Sequence, residues 1–135
     1  QGSGKSFTSE LVKRIIDPST IGRQHKLKSV QDFAILVNKS YVSIIDNLSG
    51  ISDDISDAMC QTVSNGQYTT RKLYTDNELS TINMKAKLVI NGITIMNTKP
   101  DLLERSIVIS LPKLGGNSIK TESELLEQFD ITQSI

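Results

Sequence analysis

The chain has one cysteine and one histidine. An intrachain disulfide framework is thereby excluded, and too few thiolate and imidazole donors remain for a protein zinc site. Cys60 is expected to be a buried small hydrophobe and His25 a solvated side chain. Excess charge of one sign is also missing, because fifteen Lys and Arg offset fifteen Asp and Glu. No global basic field then draws nucleic acid or an anionic membrane, and any DNA contact must be local. No apolar run is long enough to cross a bilayer, and the expectation is a chain without a signal peptide, cytoplasmic and with no membrane partner. Internal repeats and low-complexity segments are absent too. The length suits one domain with a real core.

What is present begins at the first residue. Gln1 to Ser6 read QGSGKS, the second half of the phosphate-binding pattern G-x4-G-K-S/T, whose first glycine would lie upstream of Gln1. A triphosphate needs closely spaced backbone N–H donors, which only a chain without bulky Cβ groups can wrap around it. Gly2 and Gly4 supply that freedom. Lys5 would set a compact cation on the β- and γ-phosphates of ATP, and the Ser6 hydroxyl would complete the coordination of a bridging Mg²⁺. Gly2, Ser3, Gly4, Lys5, Ser6 and Phe7 form the candidate nucleotide-binding set. The next stretch must then be a helix. Phe7, Leu11, Ile15 and Val12, Ile16 recur at helical spacing until Pro18, which aims the positive end of the helix dipole at the phosphates. The competing reading is a flexible Gly/Ser leader before an ordinary amphipathic helix.

Further along, residues 18–28 form a polar, basic connector, a solvated loop with at most a short strand near Lys26 to Ser29. Ser29 caps a second helix that ends near Asn38. Tyr41 to Asn47 is β-branched and apolar until Asp46, as a central parallel strand looks when its carboxyl end reaches a site. A third helix from Ser52 ends at Asn65-Gly66. Tyr68 to Tyr74 and Leu79 to Met84 alternate with period two and form a β-hairpin with a polar tip at Thr75 to Glu78. Lys87 to Ile90 is a buried strand ending at Asn91-Gly92, Pro100 to Arg105 a short helix, and Ile107 to Leu111 a last apolar strand. Gly115 to Asn117 is a hinge-like loop, and an acidic helical turn follows Thr121.

A phosphate loop followed by an apolar strand ending in an acid is the minimum pair for nucleotide hydrolysis, with Asp46 as the second metal-binding residue. In this order the elements resemble the AAA+ class of P-loop ATPases. Within it, Tyr41 to Pro112 is similar to the superfamily-three and poxvirus-type replication helicases of phages and plasmids. The similarity rests on SNGQYTTRKLYTDNELSTINMKAKLVINGI and DLLERSIVISLP, where a Gly-containing turn, an Arg-Lys pair on a hairpin, a strand ending in Asn, and a later arginine follow one another.

The resemblance implies an α/β, three-layer P-loop NTPase with a central, mostly parallel sheet and an inserted β-hairpin. Residues 1–114 would be a partial ATPase core lacking the strand before the phosphate loop, and 115–135 a linker with the start of a C-terminal helical region. It implies that Asn91 senses the γ-phosphate or orients water, that Arg105 reaches a neighbour's site as an arginine finger in a ring, and that Arg71 and Lys72 touch single-stranded DNA, with Lys85 and Lys87 as weaker contacts. Plainer readings stand beside these: a turn residue for Asn91, a salt bridge to Glu104 or Asp101 for Arg105, and a solvated strand face for Arg71 and Lys72.

One departure from the family pattern bears on chemistry. Asn47 stands where a water-polarising Glu usually follows the metal-binding Asp, and an amide cannot act as that general base. Asp53 or Asp54 could substitute, or Asn47 and Asn91 could orient water together. The function expected is an ATP-binding, DNA-dependent helicase-like ATPase of a mobile-element replication protein. The alternative is a nucleotide-dependent scaffold with little or no hydrolysis, and a small-molecule kinase would need an arginine-rich lid that the sequence does not offer.

Overall fold

The computed structural model describes residues 4–48, 50–71, 78–92, 99–113 and 120–133. Gly2, Ser3, Lys72, the Asn47 side chain, most of the hairpin tip and the 115–117 loop lie outside them. In chain order the elements are α1 (Lys5–Ile16), α2 (Val30–Lys39), β1 (Val42–Leu48), α3 (Asp53–Val63), β2 (Gln67–Arg71), β3 (Leu79–Asn83), β4 (Lys87–Gly92), α4 (Pro100–Glu104) and α5 (Glu122–Gln133).

Two helices start where short polar residues can cap them. Ser29 accepts a hydrogen bond from Asp32 N at 3.1 Å, and Ser52 accepts from Ile55 N at 3.4 Å, each satisfying a backbone donor that a helix start leaves open. From those caps α2 buries Phe33, Ala34 and Val37, and α3 buries Ile55, Ala58 and Met59. These side chains meet Ile45 of β1 together with Met84, Ala86 and Leu102 in one apolar cluster. Each large member stabilises the fold by about 1.5–3 kcal/mol through the area it removes from water. Cys60 belongs to the same cluster, as its sequence context suggests, and burial pushes its thiol pKa up. His25 is exposed.

β1 and β4 pair in parallel, Val42 opposite Lys87 and Ile45 opposite Ile90. On its other edge β1 meets the connector, where Gln24 N donates to Ile44 O at 2.9 Å and Asp46 N to Gln24 O at 2.8 Å. The short strand expected at Lys26 to Ser29 is therefore replaced by a single bridge earlier in the chain. β2 and β3 form the antiparallel hairpin, in register from Gln67–Asn83 to Arg71–Leu79. α3 stops at Val63, two residues short of the expected end. Asn65 then takes a positive φ of 55°, and Gly66 N returns to Gln61 O at 2.8 Å, so close that a Cβ on Gly66 would lie 2.9 Å from that oxygen.

α1 departs most from its sequence pattern. Leu11 and Val12 are only half-buried, and Ile15 and Ile16 are 61% and 54% exposed. The residues it buries are Ser9 and Lys13. Polar anchoring overrides the apolar stripe because the start of β1 offers backbone groups that need partners once buried. Lys13 Nζ donates to Val42 O at 2.7 Å and to Asp17 Oδ2 at 3.1 Å, and Val42 N donates to the same Asp17 oxygen at 2.8 Å. The Val42 N–H, joined by Lys13 and Ser19, holds the Asp17 carboxyl far below the usual carboxylate range despite its burial.

The strand expected at Ile107 to Leu111 does not form. Ile107, Val108 and Ile109 are 91%, 54% and 75% exposed. A β-branched run favours extended backbone, but it becomes a strand only beside a ladder that uses its hydrogen bonds, and none of the described residues supplies one. The acidic turn near the end is longer than expected and runs for 12 residues as α5.

Candidate nucleotide site at the carboxyl end of the parallel strands

Two contacts fix the direction of α1 on the sheet. Ser9 Oγ lies 3.1 Å from Asn91 Oδ1, near the end of β4, and one turn later Lys13 reaches Val42, the first residue of β1. α1 thus runs antiparallel to both strands, and its N-terminus lies toward their carboxyl ends.

Gly4 occupies the N-cap with φ 70° and ψ 13°, a left-handed conformation that glycine adopts without strain. Among the described residues no side chain caps the helix, and its first turn holds no acid. The backbone N–H groups of the first turn, beside half-buried Lys5, Ser6 and Phe7, are consequently arranged to meet an anion.

The strand ends bring the remaining expected residues together. Between Ile45–Ile90 and Leu48–Gly92 the register shifts, so that Asp46 and Asn47 on β1 stand against Asn91 alone on β4. An extra residue of this kind bends the strand and re-aims side chains, and it recurs beside functional sites. Asp46 and Asn91 are both buried polar residues, 7% and 8% exposed. Asn91 Nδ2 has no hydrogen-bond partner among the described residues.

Arg23, which the sequence did not single out, stands between Asp46 and α1. Its guanidinium is 3.6 Å from Asp46 Oδ2 and 3.7 Å from Glu10 Oε2. The backbone bridge at Gln24 places it there. Ser9 was missed as well, because its contact with Asn91 spans 82 positions of sequence. No periodicity or motif signals a pairing of that kind.

Other candidates lie apart. Arg105 caps α4 at its C-terminus and pairs with Asp101, Nε to Oδ1 at 3.1 Å, which is the plainer of its two readings. The Cys60 thiol, followed by Arg105, keeps the Asp101 carboxyl below its ordinary pKa. Arg71 ends β2 on the hairpin's exposed face, and Lys85 and Lys87 are exposed too. Asp53 and Asp54 sit in the first turn of α3, Asp54 on the wall of a 700 Å³ cleft with His25, Lys26 and Lys28. A smaller cavity of 380 Å³ flanks the C-terminal half of α1. Neither is lined by Lys5, Ser6, Asp46 or Asn91. Lys5, Ser6, Asp46 and Asn91 lie toward the carboxyl end of the parallel pair, and residues 1–3, 49 and 93–98 adjoin them in sequence.

The N-terminus of α1 thus lies toward the end of the parallel pair that carries a buried carboxylate, Asp46, and a buried amide, Asn91. The model of the family described as actinomycete integrative conjugative element replication protein matches residues 1–134, and the chain belongs to that family. No curated protein and no solved structure matches it. Replication of a mobile element is the shared context, in keeping with the phage, plasmid or integrated-element setting expected from the sequence. No helix among the described residues is long and apolar enough to cross a membrane.

Proposed function

We propose that the chain is the ATP-binding core of a helicase-like, DNA-dependent ATPase that serves the replication of its mobile element. The carrying observation is the direction of α1, which begins at Gly4, Lys5 and Ser6 and has its N-terminus toward the strand ends where Asp46 and Asn91 stand across the register shift.

The first-turn N–H groups and Lys5 bind the β- and γ-phosphates, and Gly4 lets the backbone approach them closely. Ser6 and Asp46 are the residues that would hold Mg²⁺. They are hard oxygen donors, and such a site takes one or two protein oxygens while phosphate and water fill the rest. The Asp46 carboxylate already faces a cation, Arg23, so it suits a positive charge. Held there, Mg²⁺ would supply the positive charge that offsets charge developing between the β- and γ-phosphates. Asn91 meets the outer phosphate or its attacking water. Arg71, exposed on the hairpin, and its neighbour Lys72 touch the DNA backbone, and Arg105 completes a neighbour's site once its bond to Asp101 exchanges for phosphate in a ring.

A second reading keeps ATP as a conformational clamp with little turnover. Asn47 favours it, since an amide follows Asp46 where a base would act. Equilibrium binding of Mg·ATP to the full-length protein and to Lys5→Ala tests the part both readings share. Wild type is expected to bind and Lys5→Ala to lose at least about tenfold, the usual scale for a charge-assisted contact; equal affinity would remove the phosphate-loop assignment and both readings with it.

A further inference from the structure

We infer that Ser9 is a positioning residue for the site, setting which end of the Asn91 amide faces the nucleotide. The inference rests on the nucleotide reading above and assigns the polarity of one contact within it. Ser9 Oγ lies 3.0 Å from Lys5 O and 3.1 Å from Asn91 Oδ1, yet a hydroxyl has one proton. Lys5 O, four residues back in α1, receives the Ser9 backbone N–H through the helix ladder. Among the described residues Asn91 Oδ1 has no such second source, and the Ser9 proton goes to it.

With its oxygen held toward α1, the amide must turn its NH₂ the other way. Asn91 is 92% buried, since only 8% of it is exposed, and Nδ2 has no partner among the described residues. A buried donor left unpaired is costly. The asymmetry therefore points to a ligand acceptor, and the one suited to a pure donor at an anion-receptive helix end is a phosphate oxygen. Were the amide reversed, its carbonyl would face the phosphate and repel it. Ser9 thereby makes Asn91 a donor toward the outer phosphate. It touches no phosphate itself and acts through Asn91.

The test compares Mg·ATP and Mg·ADP affinities of the full-length protein with those of Ser9→Ala, Ser9→Thr, Asn91→Ala, Asn91→Asp and the Ser9→Ala/Asn91→Ala double variant. Asn91→Ala should weaken ATP by about 10- to 100-fold, the range for a hydrogen bond to a charged group, and leave ADP nearly unchanged. Ser9→Ala should weaken ATP by roughly 3- to 10-fold with ADP again unchanged, a selectivity that general loss of structure would not produce. Ser9→Thr should restore the ATP-to-ADP ratio, and the double variant should be no worse than Asn91→Ala, since one residue works through the other. Asn91→Asp keeps the acceptor facing Ser9 but presents a carboxylate to the phosphate, without altering α1, and should bind ATP more weakly than Asn91→Ala. An unchanged ratio in Ser9→Ala, or ATP binding by Asn91→Asp as tight as wild type, overturns the positioning role while Lys5-dependent binding still supports the nucleotide site. Loss of the nucleotide site itself shows separately, as wild-type binding that Lys5→Ala does not reduce, and the positioning role falls with it.

Discussion

Lys13→Met asks whether α1 is fastened to the sheet by charge and not by its apolar residues. Lys13 is 3% exposed, and its ammonium serves Val42 O, Asp17 and Ser19 at 2.7, 3.1 and 3.1 Å. Methionine keeps the unbranched apolar stem, one atom shorter, but removes every donor. The Val42 carbonyl loses its charged partner, and together with the broken buried ion pair the change should cost about 2–4 kcal/mol. Because a domain is stable by only about 5–15 kcal/mol, that is a large share of the total. Urea unfolding should show the midpoint fall by about 1–2 M with an unchanged slope, for a slope of roughly 2 kcal/mol/M, the middle of the usual range. The same assay on Arg14→Met, which breaks the Glu10–Arg14 pair at 3.9 Å on the partly exposed side of the helix, supplies the comparison and should move the midpoint little. If the two variants shifted equally and slightly, Lys13 would be an ordinary solvated i,i+4 partner and the apolar residues of α1 would have to hold the helix.

Three further outcomes are expected. The Asp17 carboxyl has a lowered pKa in the folded chain, so its contribution to stability is complete above its unfolded value of about 4 and is lost as pH falls below it. Asp17→Asn should flatten that acid limb in unfolding curves taken from neutral pH downward, and an unaltered limb would place the acid sensitivity elsewhere. Gly4→Ala puts a Cβ on a residue with φ 70° and should destabilise the fold by about 1–2 kcal/mol by thermal unfolding, with nucleotide affinity falling as well; no loss would show that the N-cap relaxes freely. Arg71→Ala plus Lys72→Ala should weaken single-strand DNA binding at low salt and reduce the slope of log affinity against log salt by about 1.4 per protomer, whereas an unchanged slope would remove the hairpin from the DNA contact.

The legible parts of the chain were those where one local rule acts without competition. Ser29 and Ser52 announce α2 and α3 because a cap is made within one turn, and the alternation of Tyr68 to Arg71 and Leu79 to Asn83 gives the hairpin since its pairing is also local. The placement of Asp46 and Asn91 at the ends of two strands could be read as well, and the parallel pairing of β1 and β4 does set them side by side. Residues such as Ser9 and Arg23 could not, as their roles come from contacts between distant segments. α1 misled for a physical reason: its apolar period is genuine, but the buried backbone of Val42 draws Lys13 and Asp17 to the sheet and leaves Ile15 and Ile16 outward. Ile107 to Ile109 misled in a related way, since strand propensity does not provide a ladder.

The central claim is that Asp46, at the end of β1, belongs to a nucleotide-hydrolysing site coupled to DNA. Phosphate release from ATP by the full-length protein, with and without single-stranded DNA and beside Asp46→Ala, tests it most directly. The account predicts turnover that DNA stimulates and that Asp46→Ala abolishes. Turnover indifferent to both DNA and Asp46, or tight ATP binding with no phosphate release, would contradict it.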